Sequence, residues 1–275
     1  MDHQIENQRP IAVFDSGLGG LTVVNALRRE LPQEDLIYLG DTARVPYGNK
    51  GVDTVTNFTR ECLDWLHGRG VKMMVVACNT ASALALPSLI NEYEEPILGV
   101  IEPGIRGALP YVKKGPVGVI GTHATIGSHA YGHRLSQIQP HIEVMEQACP
   151  IFVPLVEEGW FHHPITEMVV QEYLGSMRAK SLEVLILGCT HYPLLKDALG
   201  RFFGEETLLI DSAEETAKEV VRILDLRKMR AIRQGLGQIV FYCTDDPQRL
   251  AALGSRVFRG EIQMAQLVHV VKEGT

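Results

Sequence analysis

No uninterrupted apolar stretch in this chain is long enough to cross a bilayer. The opening MDHQIENQRP carries no basic segment followed by an apolar core, which argues against a secretory signal. Positive charge is also in short supply. Against 33 Asp and Glu stand 26 Lys and Arg, a formal net charge of −7, and that balance disfavours non-specific binding to nucleic acid or to an anionic membrane. Cysteine is sparse and odd in number, five in 275 residues, widely spaced and without a C-x-x-C motif. Such usage argues against a secreted disulfide framework and predicts free thiols in a reducing cytoplasm. A third glycine is missing as well. After IAVFD come Gly17, Gly19 and Gly20, but Thr22 takes the last position of G-x-G-x-x-G, so a dinucleotide site with Asp41 as its ribose acid is disfavoured and a tight strand-to-helix turn explains the glycines. What is present, 45% apolar and 21% charged residues, is the composition of a globular protein with room for one large α/β domain or two.

Short β-branched runs alternate with longer helical patterns from end to end. Strands are expected at Ile11–Phe14, Leu36–Leu39, Met73–Ala77, Ile97–Val100, Val117–Ile120, Ile142–Met145, Val184–Leu187, Leu208–Ile210 and Ile239–Tyr242. In Asp53–His67, Val55, Phe58, Cys62, Leu63 and Leu66 recur at helical spacing, and Gly68 and Gly70 supply the stop. This alternation predicts an α/β fold of mainly parallel sheets covered by helices on both faces.

The chain also repeats itself. IAVFDSG from Ile11 is echoed by VGVIGTH from Val117, and LIYLG from Leu36 by IEVME from Ile142, both at an offset of 106. MMVVACNT, ending at Thr80, returns as VLILGCTH, ending at His191, at an offset of 111; PILGVIEP around Val100 returns as TLLIDSAE around Ile210 at 110. Four matches in one order predict two pseudo-symmetric α/β domains, residues 10–102 with 212–275 and residues 103–211, with Ile239–Tyr242 returning to the first. Ligands of open parallel sheets sit beyond the carboxyl ends of the strands, so the active site is expected at the domain interface.

Position then separates the cysteines. Cys78 follows MMVVA and Cys189 follows VLILG, at matched strand ends just before helices, with Thr80 and Thr190 as the expected N-caps. Amides at a helix start favour a nearby anion, so thiols there are expected to ionise more readily, and the same amides can take a substrate carboxylate. Cys62 on the apolar stripe of a helix, Cys149 before a proline and Cys243 at the end of a late strand read instead as small buried apolar residues. Two thiols facing each other across a small molecule suit the inversion of a carbon acid. A thiolate removes a proton from one face, the opposing thiol delivers one to the other, and the reverse reaction exchanges their roles.

FDSGLGG from Phe14, PYG at Pro46, ACNTASA from Ala77, PLVEEG from Pro154 and GCTHYPLL from Gly188 together resemble the glutamate racemases of the aspartate/glutamate racemase superfamily. The likeness runs from about residue 10 to FYCTDDP near the C-terminus. It implies interconversion of L- and D-glutamate without pyridoxal phosphate, metal or other cofactor, supplying D-glutamate for peptidoglycan. By motif, Cys78 resembles the base for D-glutamate and Cys189 the base for L-glutamate; Asp15 and His191 resemble their polar assistants, and Glu157 a further acid of the site. Ser16, Asn79, Thr80 and Thr190 resemble substrate-binding residues, as do Pro46, Tyr47 and Gly48, with Thr122 and Thr125 of GTHAT beside them. Hydroxyls, amides and backbone N–H groups can hold both glutamate carboxylates without an Arg clamp. Homodimers are common among such racemases, and a homodimer is expected.

Other readings compete. The same thiols could serve aspartate or a hydantoin, a redox role through a Cys78–Cys189 disulfide, or a non-catalytic protein. His129 and His133 stand four apart and could share a helical face, but with no acidic ligand evident nearby a metal site is not expected. The basic run Arg227, Lys228, Arg230 and Arg233 reads as a solvated helix face.

Overall fold

The computed structural model describes residues 6–258, 260 and 262–271. Among them, ten strands build two sheets. The first comprises β1 (Ile11–Asp15), β2 (Leu36–Gly40), β3 (Met73–Val76), β4 (Ile97–Gly99), β9 (Ile239–Cys243) and β10 (Ala265–Leu267), in the order β10-β9-β2-β1-β3-β4. The second comprises β5 (Val117–Gly121), β6 (Val144–Ala148), β7 (Val184–Gly188) and β8 (Leu208–Asp211), in the order β6-β5-β7-β8. Every pairing is parallel. The central strands read IAVFD, MMVV, VGVIG and VLILG and are buried throughout, as strands with helices on both faces must be.

The internal repeat is structural. Strand order β2-β1-β3-β4 recurs as β6-β5-β7-β8, and Ile11 pairs Met73 as Val117 pairs Val184. Two offsets change. Ile11 lies opposite Leu36 but Val117 lies opposite Val144, so the sixth strand runs from Val144 to Ala148 rather than Ile142 to Met145. It is an edge strand, half-buried along its length, and its polar Glu146 and Gln147 hide it from an apolar search. The fourth pair shifts likewise, Met74 facing Ile97 where Leu185 faces Leu209. β9 returns to the first sheet beside β2 as expected; the three-residue edge strand β10 was not anticipated, because only Ala265 of its residues is buried.

Helices cover each sheet on both faces, and four apolar clusters fill the layers between. Each fully buried Leu, Ile, Val or Phe in them contributes about 1.5–3 kcal/mol. Helix Val52–His67 buries Val55, Cys62, Leu63 and Leu66 and ends at Gly68, close to its predicted bounds. The basic run departs from expectation. Helix Ser212–Arg227 stops where Lys228 turns left-handed (φ 56°), so only Arg227 of the four is helical. Arg230 pairs with Asp225, and Arg233 grips Asp35 through two nitrogens at 2.6 and 2.7 Å. Nearby, Lys72 and Glu34 form an ion pair at 2.5 Å with both side chains 2% exposed; Lys72 also donates to the carbonyls of Asn7 and Met229.

Candidate active site

Parallel strands in register bring their carboxyl ends to one edge, and the edges of the two sheets meet at a cavity of about 340 Å³. Cys78, two residues past β3, and Cys189, directly past β7, both line it, 5% and 6% exposed. Among the described residues lining the cavity there is no Lys or Arg.

The two thiols have different surroundings. Cys78 is itself the N-cap of helix Asn79–Leu84: its sulfur accepts the Ala81 N–H at 3.5 Å, and its thiol donates to Ser16 Oγ at 3.4 Å. Thr80, expected as the cap, lies inside the helix. Readier ionisation at this helix start is not found. Burial, reinforced by the nearby Asp15 carboxylate, pushes the Cys78 thiol up to about 12 and outweighs the contacts with Ser16 and the Ala81 amide. Cys189 is followed not by an α-helix but by the 3₁₀ turn Tyr192–Leu195, whose N-cap is His191 and not Thr190. Pro193 in that turn limits which amides can donate. The partner of Cys189 is therefore a side chain: His191 Nδ1 stands 3.8 Å from its sulfur.

Two acids frame His191. Its Nε2 lies 3.4 Å from Glu157 Oε1, an ion-pair contact without an aligned hydrogen bond. Burial disfavours the imidazolium, but Cys189, Glu157 and Asp15 together prevail and raise His191 to about 10. Glu157 is held below its usual range by His191, against burial and with help from Arg249. Asp15 is fully buried behind the cavity wall. Its Oδ2 accepts the Gly17 N–H at 2.9 Å, and its Oδ1 accepts the Thr190 hydroxyl at 3.3 Å, so it serves both the turn after β1 and the opposite half. Burial raises its carboxyl, opposed by the charge on His191.

Most of the remaining predicted residues gather here. Ser16, Pro46, Tyr47, Gly48, Asn79, Thr80, Thr122 and Thr190 line the cavity, whereas Thr125 stands behind it, fully buried. The Thr80, Thr122 and Thr125 hydroxyls form a triangle of 2.9, 3.1 and 3.0 Å across the two halves. Glycine is required where the halves touch. A Cβ on Gly48 would come within 2.6 Å of Thr122 Cβ, and one on Gly19 would overlap the Thr190 hydroxyl. The loop Val45–Gly48, with a cis Val45–Pro46 bond, is tied down by buried Asp41, which accepts from Tyr47 Oη, Arg44 Nε and Thr244 Oγ1.

Sequence reasoning missed several contributors. Val45, Ile151 and Val153 supply apolar wall, Arg249 bears on Glu157, and Tyr131 Oη accepts from Asn79 Nδ2 at 2.8 Å. Tyr131 carries the periodicity of an ordinary core residue, so no signal marked it. The Asp41 cluster was legible only as a failed ribose acid. His129 does have an acid beside it, contrary to expectation: Glu146 Oε2 lies 2.6 Å from its Nδ1, brought there by the shifted sixth strand. Among the described residues, no cluster of three His, Cys, Asp or Glu side chains is placed to hold a metal, and no helix is long and apolar enough to cross a membrane.

Two parallel-sheet halves closing on a small cavity, with one thiol from each, define an α/β protein of the pseudo-symmetric racemase class. The chain belongs to the Asp/Glu/Hydantoin racemase family, whose profile matches residues 21–220. It is 46% identical to the glutamate racemase of Geobacter metallireducens over 92% of this chain and 94% of that one. Among solved structures it is similar to the glutamate racemase of Francisella tularensis in complex with D-glutamate, with a TM-score of 0.90 at 37% identity over 96% of this chain and 98% of that one. It is also similar to the Thermus thermophilus glutamate racemase in complex with β-chloro-D-alanine, with a TM-score of 0.86 at 44% identity over 95% and 97%.

Proposed function

We propose that the protein interconverts L- and D-glutamate by two-base proton transfer at the α-carbon, and so supplies D-glutamate for peptidoglycan synthesis. The carrying observation is the pair Cys78 and Cys189, set at equivalent strand ends of two repeated sheets and lining one cavity. With L-glutamate bound, Cys189 as thiolate takes the α-proton while the Cys78 thiol delivers its own to the opposite face. Cys189 leaves the step as thiol and Cys78 as thiolate, and D-glutamate reverses both roles. His191 holds a proton at hydrogen-bonding reach of Cys189 and passes it to or from the sulfur. Asp15 steadies Thr190 and, through its charge, the imidazolium. The substrate ammonium adds a positive charge beside Cys78 that offsets the burial disfavouring its thiolate.

The two substrate carboxylates are held by neutral donors. Ser16, Thr80 and Thr122 offer hydroxyls, and the Pro46–Gly48 loop offers backbone N–H groups from Tyr47 and Gly48; the Thr190 hydroxyl, whose proton goes to Asp15, is left as an acceptor for the substrate ammonium. Thr125 orients Thr80 and Thr122 from behind. No cofactor is required, because the transferred proton has a donor and an acceptor in the thiols themselves. All five cysteines are free, in keeping with a cytoplasmic enzyme. Residues 10–102 with 212–275 form one domain and 103–211 the other, and the working unit is a homodimer, for which sedimentation should give twice the chain mass.

The decisive assay follows optical rotation or circular dichroism with purified protein and no added cofactor, on L-glutamate, L-aspartate and a hydantoin side by side. Glutamate should be racemised fastest from either enantiomer. Preference for aspartate or a hydantoin would assign another substrate within the family, and a Cys78–Cys189 disulfide with no racemisation would favour a redox role.

A further inference from the structure

We infer that Tyr131 is a positioning residue for the reaction, a single phenol that sets the residue after Cys78 and the residue before Cys189 relative to each other; the inference rests on the racemase reading above. Tyr131 belongs to helix Ala130–Ile138 of the second half and is fully buried. Its hydroxyl crosses to the first half, where Asn79 Nδ2 donates to it at 2.8 Å. Asn79 directly follows Cys78. The same ring lies under β7, where a Cβ on Gly188 would stand 3.2 Å from its Cε2, and Gly188 directly precedes Cys189. One side chain thus touches the residue next to each thiol, and through Gly104, 3.6 Å from its Oη for an added Cβ, it also meets the helix that joins the halves.

Asn79 shows what this contact is for. Its side chain is 2% exposed and lines the cavity, yet its Oδ1 is buried with no hydrogen-bond partner. A buried amide oxygen left bare is costly, and native proteins leave few such groups without a reason. The residue lines the cavity, so this unbonded amide edge lies in the wall against which a substrate would pack, and a small rotation of the side chain would offer it to a substrate polar group. A phenol can accept from an amide N–H or donate to an amide oxygen, so Tyr131 holds the amide plane and leaves the other edge to the ligand. Without the hydroxyl, Asn79 would sample other rotamers and the substrate would lose a pre-oriented partner. Binding would weaken in both directions of turnover, while the thiols, which Tyr131 does not touch, would keep their chemistry.

Tyr131→Phe removes one oxygen and keeps the ring under Gly188. KM for L- and for D-glutamate should rise roughly fivefold, the equivalent of one neutral hydrogen bond worth about 1 kcal/mol, with kcat changed less than twofold and the melting temperature little altered. In an Asn79→Ala background the same substitution should leave KM where Asn79→Ala alone puts it. An unchanged KM, or a lowered melting temperature alone, would reduce Tyr131 to packing and overturn the inference. So would a KM effect of equal size in the Asn79→Ala background. Wild-type protein measured in parallel separates the two levels: if it is inert on glutamate, the substrate assignment fails and this inference with it, whereas an active wild type with an indifferent Tyr131→Phe variant defeats only the inference.

Discussion

Cys78 shows how burial and catalysis pull against each other at a single residue. The thiol is 5% exposed beside Asp15, and burial pushes it up to about 12, so it is protonated at neutral pH. That is the form the proposed mechanism requires of the group that delivers a proton to the α-carbon when L-glutamate reacts. A raised value leaves the thiolate fraction increasing tenfold for each unit of pH until that value is approached. Alkylation of Cys78 by iodoacetamide in the free enzyme, followed on its own peptide by mass spectrometry, should therefore climb log-linearly from pH 7 to beyond pH 10. A plateau near pH 9 would show an ordinary thiol and contradict the burial argument. His191, raised to about 10, remains the cation across that range up to its own value. Its proton stabilises the fold fully below the ordinary 6.5, and that contribution is lost as pH rises through about 10.

At the scale of elements, the central strands were legible because they are buried on both faces and read as continuous apolar runs, VGVIG and VLILG among them. The edges were not. β6 carries Glu146 and Gln147 and slid by two residues from its expected start, and β10 offers one buried side chain in three. Helix starts were misjudged for a related reason: Cys78 took the capping position assigned to Thr80, leaving that hydroxyl free to bond Thr122 and Thr125 of the other half. Most site residues were found through their motifs, but Tyr131 was silent because its function depends on a partner 52 positions away in sequence. The Lys72–Glu34 pair was equally silent, since neither residue is marked as buried by its neighbours. It joins the segment before β1, the start of β3 and the stretch after helix Ser212–Arg227. Removing one partner strands the other charge in the interior, so Lys72→Met should lower the unfolding free energy by about 3–5 kcal/mol. A loss under about 1 kcal/mol in urea titration would mean that the pair is solvated in the working protein.

The whole molecule explains why the chemistry needs two halves. The internal repeat places one thiol just past β3 and its counterpart just past β7, and in the proposed mechanism their apposition lets each face of one carbon meet its own acid–base group. Contacts across the interface are correspondingly close. Thr22 donates to the Thr190 carbonyl, Thr190 to Asp15, and Gly48 fits against Thr122 with no room for a Cβ. Symmetry in the fold is matched by asymmetry in the partners, Ser16 and a helix amide for Cys78 but His191 for Cys189, as expected of groups that meet opposite enantiomers. The central claim is the division of labour between these thiols, and solvent hydrogen exchange tests it most directly. In deuterated water without cofactor, the wild-type enzyme should racemise glutamate and place deuterium at the α-carbon of the product. Cys78→Ala and Cys189→Ala should each lose racemisation by orders of magnitude. Racemisation at the wild-type rate in either variant would contradict the two-thiol mechanism outright.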